Sequence, residues 1–322
     1  MSTLYVDRKG AELAAEPGLL VLRVPGEQAR RLPIALLDRV VVHASVTFHS
    51  AALTALGEAG VPLVLVGGRS QRRMAMVTGP ASTDVAVRLG QMARATDAQW
   101  CLAWSRRLVA RRIRRQRAWL VSLERDYPRH RGRHVRRAVE AMDRALDALS
   151  TAPDRAALRG IEGTAARVAF EVLAALLPAS LGFRGRNRRP PRDPVNAAIS
   201  LGATLLHTDA VRAALGHGLD PWIGFYHAPA RGRESLACDL VEPWRPALHN
   251  WVWRMFAERK LRGEHFRRGE NACLLGKAGR RVFWEAWERF APVHRRGLRR
   301  TCRVLARALR EGVELEEPED LE

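Results

Sequence analysis

Asp239 and Glu242 stand three residues apart in SLACDLVEPWRP (235–246), with Pro243 directly after the second acid. Two carboxylates at i and i+3 share one face of a helical turn and could hold a cation between them. The same spacing also fits a helix start, with an acidic N-cap, Glu three residues on, and proline tolerated in the first turn. Glu162 lies between Gly160 and Gly163 in GIEGTAARVAF (160–170), within a run of helical period. Glycine costs a helix interior about 1 kcal/mol relative to Ala, so two of them around one acid predict a close approach by another backbone or a ligand. A kinked helix with a surface Glu is the plainer alternative. His227 follows bulky hydrophobes in WIGFYHAP (222–229), where a histidine alone would more often be a packed core residue. If Glu162, His227 and Glu242 converge, they make a mostly oxygen site with one imidazole. That donor set suits Mg²⁺ or Mn²⁺ rather than a closed zinc site, which favours Cys and His. An ion held by few protein groups keeps positions for a phosphate oxygen and could stabilise an in-line displacement at phosphorus.

The remaining composition suits a phosphate-bearing substrate. Across 322 residues, 54 Lys and Arg outnumber 34 Asp and Glu, a formal charge of +20, and the pI is near 11.3. Such a balance points to a polyanionic partner, most often nucleic acid. Only Lys9, Lys260 and Lys277 are lysine. Biased coding explains Arg over Lys, but not the excess of base over acid. Arg106, Arg107, Arg111, Arg112, Arg114, Arg115 and Arg117 crowd one helical stretch and need counter-charge, from phosphate or from paired acids. Cys101, Cys238, Cys273 and Cys302 form no CxxC pair, which argues against a zinc knuckle or a disulfide framework. No run approaches the ~20 apolar residues a membrane span needs, and the N-terminus has no apolar signal core. A cytoplasmic protein without membrane association is the expectation.

The elements that must position these groups change character along the chain. An α+β protein is expected, with a small β-rich N-terminal domain (1–84), a mostly α-helical catalytic domain (85–310) and an acidic, disordered tail (311–322). LYVDRKGAEL reads as a hairpin turning at Lys9-Gly10, and LLVLRV, VVVHASVTF, VPLVLVGG and MAMVTGP as strands. SAALTALGEAG reads as a helix closed by Gly60. His43 and His49 read as structural. From Val85 the period is helical: one or two long helices, another over 154–177 led by Asp154, then the Arg- and Pro-rich loop FRGRNRRPPRDP (183–194). Two helices are expected across NAAISLGATLLHTDAVRAALGHGLDP, and two more near 239–260 and 280–310. Trp251, Trp253, Phe256, Trp284 and Trp287 recur at helical spacing, as core residues do, which argues against the stacking platforms of an RNA-binding sheet.

Taken in order, IEGTAARVAF, FRGRNRRPPRDPVNAAISLG, GFYH and SLACDLVEPWRP resemble the CRISPR-associated adaptation integrases. These are metal-dependent DNA endonucleases that insert new spacers into CRISPR arrays, and the resemblance covers nearly the whole chain. It implies that Glu162, His227 and Glu242 bind Mg²⁺ or Mn²⁺, and that Asp239 and Asn196 support the site. It further implies nucleic-acid contacts from Arg184, Arg245 and Lys277. Ala169 and Ala203 stand where relatives often carry tyrosine. The implied assembly is a homodimer formed largely through the β domains, joined to a small ferredoxin-like CRISPR-associated partner subunit. The implied substrate is double-stranded or branched DNA, in which a 3′-hydroxyl attacks a phosphodiester. The alternative is a catalytically inactive DNA-binding scaffold that bridges DNA ends. Against it, a pure binder gains nothing from carboxylates placed near phosphate.

Overall fold

The computed structural model describes residues 2–67, 73–79, 84–126, 132–187, 190–270 and 272–312. The expected strand end at Gly68 and nearly all of the acidic tail lie outside them. The chain divides into two compact units, Met1–Thr83 and Asp84–Glu322.

The first unit carries strands β1 (Ser2–Val6), β2 (Ala11–Glu16), β3 (Leu19–Arg23), β4 (Arg30–Pro33), β5 (Leu37–Val42) and β6 (Val46–Phe48). Helix α1 (Ser50–Glu58) and strands β7 (Leu63–Gly67) and β8 (Arg73–Val77) follow. One sheet has the order β1-β5-β7-β8 and the other β4-β3-β2-β6. The hairpin expected at Lys9-Gly10 is therefore absent. β1 pairs in parallel with β5, while β2 pairs with β3 and β6, and Gly10 (φ +78°) turns the chain from one sheet to the other. Burial explains the choice, because Val6, Leu13, Leu20, Val40, Leu56 and Leu63 then share one core. VVVHASVTF likewise splits between β5 and β6, in different sheets. The charged β4 lacks an apolar alternation and sits at a sheet edge, where Arg31 grips Glu16 at 2.9 Å.

The second unit contains helices α2 (Val85–Thr96), α3 (Ala98–Asp126), α4 (Arg133–Ser150), α5 (Arg155–Leu176), α6 (Pro194–Gly216) and α7 (Ser235–Val241). A 3-10 turn, Glu242–Trp244, leads into α8 (Arg245–Ala257); the short pair β9 (Phe266–Arg268) and β10 (Cys273–Leu275) and helix α9 (Lys277–Glu311) complete it. With its strand-rich start and helical remainder the chain is α+β. Asp84, Asp154 and Asp193 cap α2, α5 and α6, each accepting a backbone N–H three residues on. α4, absent from the sequence reading, is fixed by Val135, Ala138, Met142 and Leu149 on one buried face. The two helices expected across 196–221 are one, α6. Gly202 does not interrupt it but serves packing: a Cβ there would meet Leu248 Cδ1 at 2.5 Å and Trp287 at 3.3 Å. Trp253, Phe256, Trp284 and Trp287 are buried, as helical spacing predicts, and Trp251 is half-buried. Among the described residues no helix is long and apolar enough to cross a membrane.

Candidate active site

Asp239 is wholly buried inside α7 and does not cap it, so the helix-start reading of Asp239 and Glu242 gives way. Its Oδ2 accepts the backbone N–H groups of Phe225 (2.8 Å) and Tyr226 (3.0 Å). Its Oδ1 accepts the His227 backbone N–H (2.9 Å) and His227 Nδ1 (2.7 Å). An ionised carboxylate only accepts, so Nδ1 carries the proton and Nε2 keeps its lone pair, the tautomer that binds a metal or takes up a proton.

The loop bearing His227 is held from several sides. The buried Gln91 on α2 donates to the carbonyls of Asp220 (2.9 Å) and Ile223 (2.7 Å) and accepts the Asp220 N–H. Arg155 on α5 donates to the Phe225 carbonyl at 2.7 Å, and the Phe225 ring meets Trp100 edge-on at 4.6 Å. Gly224 has no room for a side chain: a Cβ would lie 2.6 Å from the Ser235 carbonyl carbon and 2.8 Å from the His227 oxygen.

Glu242 opens the 3-10 turn and is buried; Glu162 lies about two turns into α5 and is partly exposed. Both receive the same donor. Nη1 of Arg112, from the middle of α3, is ion-paired with Glu162 Oε1 and with Glu242 Oε2. Arg245 Nε donates to the other Glu242 oxygen at 2.8 Å, and the Tyr226 hydroxyl donates to Glu162 Oε2 at 3.2 Å. Burial works to raise the pKa of Glu242, but the charges of Arg245 and Arg112 outweigh it and bring the carboxyl down to about 2. Burial, together with the charges of Glu162 and Glu242, pushes the Tyr226 phenol far up, so it remains a donor.

The structure thus joins Glu162 to Glu242 through one guanidinium and seats His227 on Asp239. Among the described residues, no three carboxylate, imidazole or thiol heads gather tightly enough to cage an ion. The physical reason is counter-charge: two acids brought together out of water need a cation, and Arg112 supplies it. In chemistry the donor set still fits a hard divalent ion, with two carboxylates, one strongly held in its ionised form, and an imidazole presenting Nε2.

Asn196, buried at the start of α6, touches neither acid. Its Oδ1 accepts Arg186 Nη1 (2.8 Å) and the Asn187 N–H (3.0 Å), and its Nδ2 donates to the Gly185 carbonyl (2.8 Å) and Asp193 (2.7 Å). It therefore fixes the 184–187 loop. Arg184 and Arg186 from that loop, with Arg112, Glu162, Gly163 and Arg167, line a cleft of about 560 Å³. Among the described residues, nothing beyond the adjoining helix backbone lies within 4 Å of a Cβ at Gly160 or Gly163, so the close approach by another backbone expected there is not made; Gly163 borders the cleft instead. Arg245 is turned onto Glu242 rather than outward, and Lys277 is exposed at the first residue of α9, outside the cleft lining.

Sequence reasoning did not separate Arg112 from its neighbours in the run of seven arginines. A signal exists: Val109, Arg112, Ile113, Gln116 and Leu120 fall on one buried helical face. Others in the run find protein partners as well. Arg106 binds the Leu149 and Ala152 carbonyls, Arg117 pairs with Asp143, and Arg115 stands 4.0 Å over the Trp244 ring.

Residues 4–289 match the family described as CRISPR associated protein Cas1. The chain is 33% identical over 298 residues to the CRISPR-associated endonuclease Cas1 1 of Thermodesulfovibrio yellowstonii, covering 92% of this chain and 93% of that protein. It is 34% identical over 298 residues to the CRISPR-associated endonuclease Cas1 2 of Rhodospirillum rubrum, covering 89% and 86%. Its fold is shared with a casposase bound to integration product, at a TM-score of 0.87 and 19% identity over 100% of this chain and 94% of that one. A CAS1 protein from Thermotoga maritima superposes with a TM-score of 0.84 at 20% identity, over 99% and 100% of the two chains. A chain of a Cas6-RT-Cas1–Cas2 complex does so at 0.81 and 22%, over 97% of this chain and 35% of that one.

Proposed function

We propose that this chain, which belongs to the CRISPR-associated Cas1 family, acts on DNA as an endonuclease and integrase in spacer integration, with Mg²⁺ or Mn²⁺ held by Glu162, His227 and Glu242. The observation that carries this reading is the pair of acids from α5 and the 3-10 turn drawn onto one cationic centre, beside an imidazole whose Nδ1 is locked by a buried carboxylate. The bound ion would supply Lewis-acid stabilisation of charge at the phosphorus centre and the leaving oxygen.

The chain's own residues do the positioning. Asp239 keeps the proton on His227 Nδ1 and so presents Nε2. The Tyr226 hydroxyl orients Glu162, and Arg245 holds Glu242 ionised and in place. The guanidiniums of Arg167, Arg184 and Arg186 in the cleft suit a sugar–phosphate strand; such contacts are weakly sequence-specific and salt-sensitive. In the transesterification, a 3′-oxygen of the spacer precursor bonds to a phosphorus of the target as the bond from that phosphorus to the displaced 3′-oxygen breaks. One proton leaves the attacking hydroxyl and one reaches the displaced oxygen, so no covalent enzyme nucleophile is required. Orientation and charge stabilisation then carry the rate. We extend to this chain a homodimer through the β-rich unit, a small ferredoxin-like partner of the Cas2 type, and a cytoplasmic location; the similar chain within a complex that contains Cas2 supports the second.

A second reading, a DNA-bridging scaffold without catalysis, draws on Arg112, which balances both acids with no ion needed. Purified protein incubated with branched DNA in Mn²⁺ or in EDTA separates the two. Cleavage and strand transfer are expected in Mn²⁺ only, and are lost in the Glu162→Ala, His227→Ala, Glu242→Ala triple variant while DNA binding persists. Equal activity in EDTA, or full activity in the triple variant, contradicts the metal reading.

A further inference from the structure

We propose that Arg112 is an exchangeable counter-ion: it balances Glu162 and Glu242 until a divalent cation replaces it, and is then released to a DNA phosphate, so that metal and DNA bind cooperatively. This rests on the metal reading above and adds to it a coupling between the two ligands.

Three observations point this way. The first is charge. Glu162 and Glu242 face two guanidiniums, Arg112 and Arg245, so the cluster is already neutral. A divalent ion added with Arg112 in place would leave an excess of two positive charges at a buried site, which is strongly unfavourable. With the ion in place of Arg112 the excess falls to one, the charge a single phosphodiester neutralises.

The second is hydrogen bonding. Arg112 is almost fully buried, and among the described residues its Nε meets no acceptor. Buried donors are mostly satisfied, so this edge of the guanidinium is not tied down by the protein. Arg112 is instead held by one corner, through Nη1, on the two acids.

The third is the exit. Arg112 lines the 560 Å³ cleft together with Arg184 and Arg186, so its long side chain has space beside its present seat among groups suited to phosphate. Arg245 offers a contrast. It lies outside that lining, pairs with Glu242 alone across one turn, and is the fixed counter-charge.

Coupling of this kind is reciprocal: DNA must tighten metal binding by the factor by which metal tightens DNA binding, commonly about 5–150-fold. The test is Mn²⁺ binding, read by the loss of the free-ion EPR signal, in full-length protein with and without branched DNA bearing 3′-deoxy ends that cannot react. Wild type is expected to bind Mn²⁺ weakly alone and more tightly, by about that factor, with DNA. Arg112→Gln should bind Mn²⁺ tightly without DNA, and DNA should add little. Because Arg112→Gln leaves two acids unbalanced, its melting temperature should be depressed without metal and restored by Mn²⁺ more than wild type is raised. Arg112→Lys, which keeps a displaceable charge, should lie between the two. The proposal is overturned if Arg112→Gln binds Mn²⁺ no better than wild type, if DNA leaves the wild-type affinity unchanged, or if Arg112→Gln stays unfolded in saturating Mn²⁺. A different outcome would sink the metal reading itself: undiminished Mn²⁺ binding in Glu162→Gln and Glu242→Gln.

Discussion

His227 owes its orientation to one carboxylate, and that makes Asp239 the most informative single substitution outside the proposed ligands. An amide in place of the acid keeps the shape but weakens the acceptor for three backbone N–H groups and for Nδ1. Partners that orient a ligand in this way typically change metal affinity or activity by about 10–100-fold when altered. Asp239→Asn should lower strand transfer by that factor with an unchanged circular dichroism spectrum; unaltered turnover would contradict the role. His207 gives a pH-dependent prediction. Burial opposes its charge, but bonds to Cys238 and to Glu234 (3.2 Å) outweigh this and push its pKa up to about 9 from 6.5. The folded state therefore binds the proton more tightly, and the stability gained is present below pH 6.5 and lost as pH rises through about 9. Chemical denaturation at steps between those values should show declining stability in wild type and a flatter profile in His207→Gln. At this scale the acids and the histidine were legible, because each sits in a short distinctive motif. Arg112 was hidden among equals, and Tyr226 in the apolar residues ahead of His227.

Elements decide whether those residues meet. α3 supplies Arg112, the loop before α7 supplies His227, and the tight passage at Gly224 lets that loop lie against the start of α7. Gly224→Ala would force the loop outward, and displacements of about 1 Å at a reacting centre can cost about 100-fold in rate. A loss of that order in strand transfer, with gel-shift affinity for DNA retained, is the expected result; wild-type activity would mean the loop can yield without consequence. Helix starts at Asp84, Asp154 and Asp193 follow local rules, and Asp154 was read directly from the sequence. The parallel pairing of β1 with β5 was not, because partners more than thirty residues apart leave no mark on either strand. The two helices expected across 196–221 are a single α6, because Gly202 lies inside it at a close crossing by Leu248 and Trp287, which only the tertiary structure reveals.

The whole molecule carries +20, but part of the arginine run is not available to a partner, since Arg106, Arg112 and Arg117 are engaged within the protein. DNA affinity should still fall linearly with the logarithm of salt concentration, with a slope near 0.9 per phosphate contacted, about one unit of which Arg184→Ala should remove. Fluorescence anisotropy across a salt series reads this, and an unchanged slope would place Arg184 away from phosphate. The composition made a polyanionic partner legible at once; which charges face it was not, because pairing is settled by contacts remote in the chain. The most direct trial of the account is a crystal of the protein with DNA and Mn²⁺, measured for anomalous scattering. A peak about 2.0–2.3 Å from Glu162, His227 Nε2 and Glu242, with Arg112 no longer between the acids, is predicted. Manganese bound elsewhere, with Arg112 still bridging Glu162 and Glu242, would contradict it.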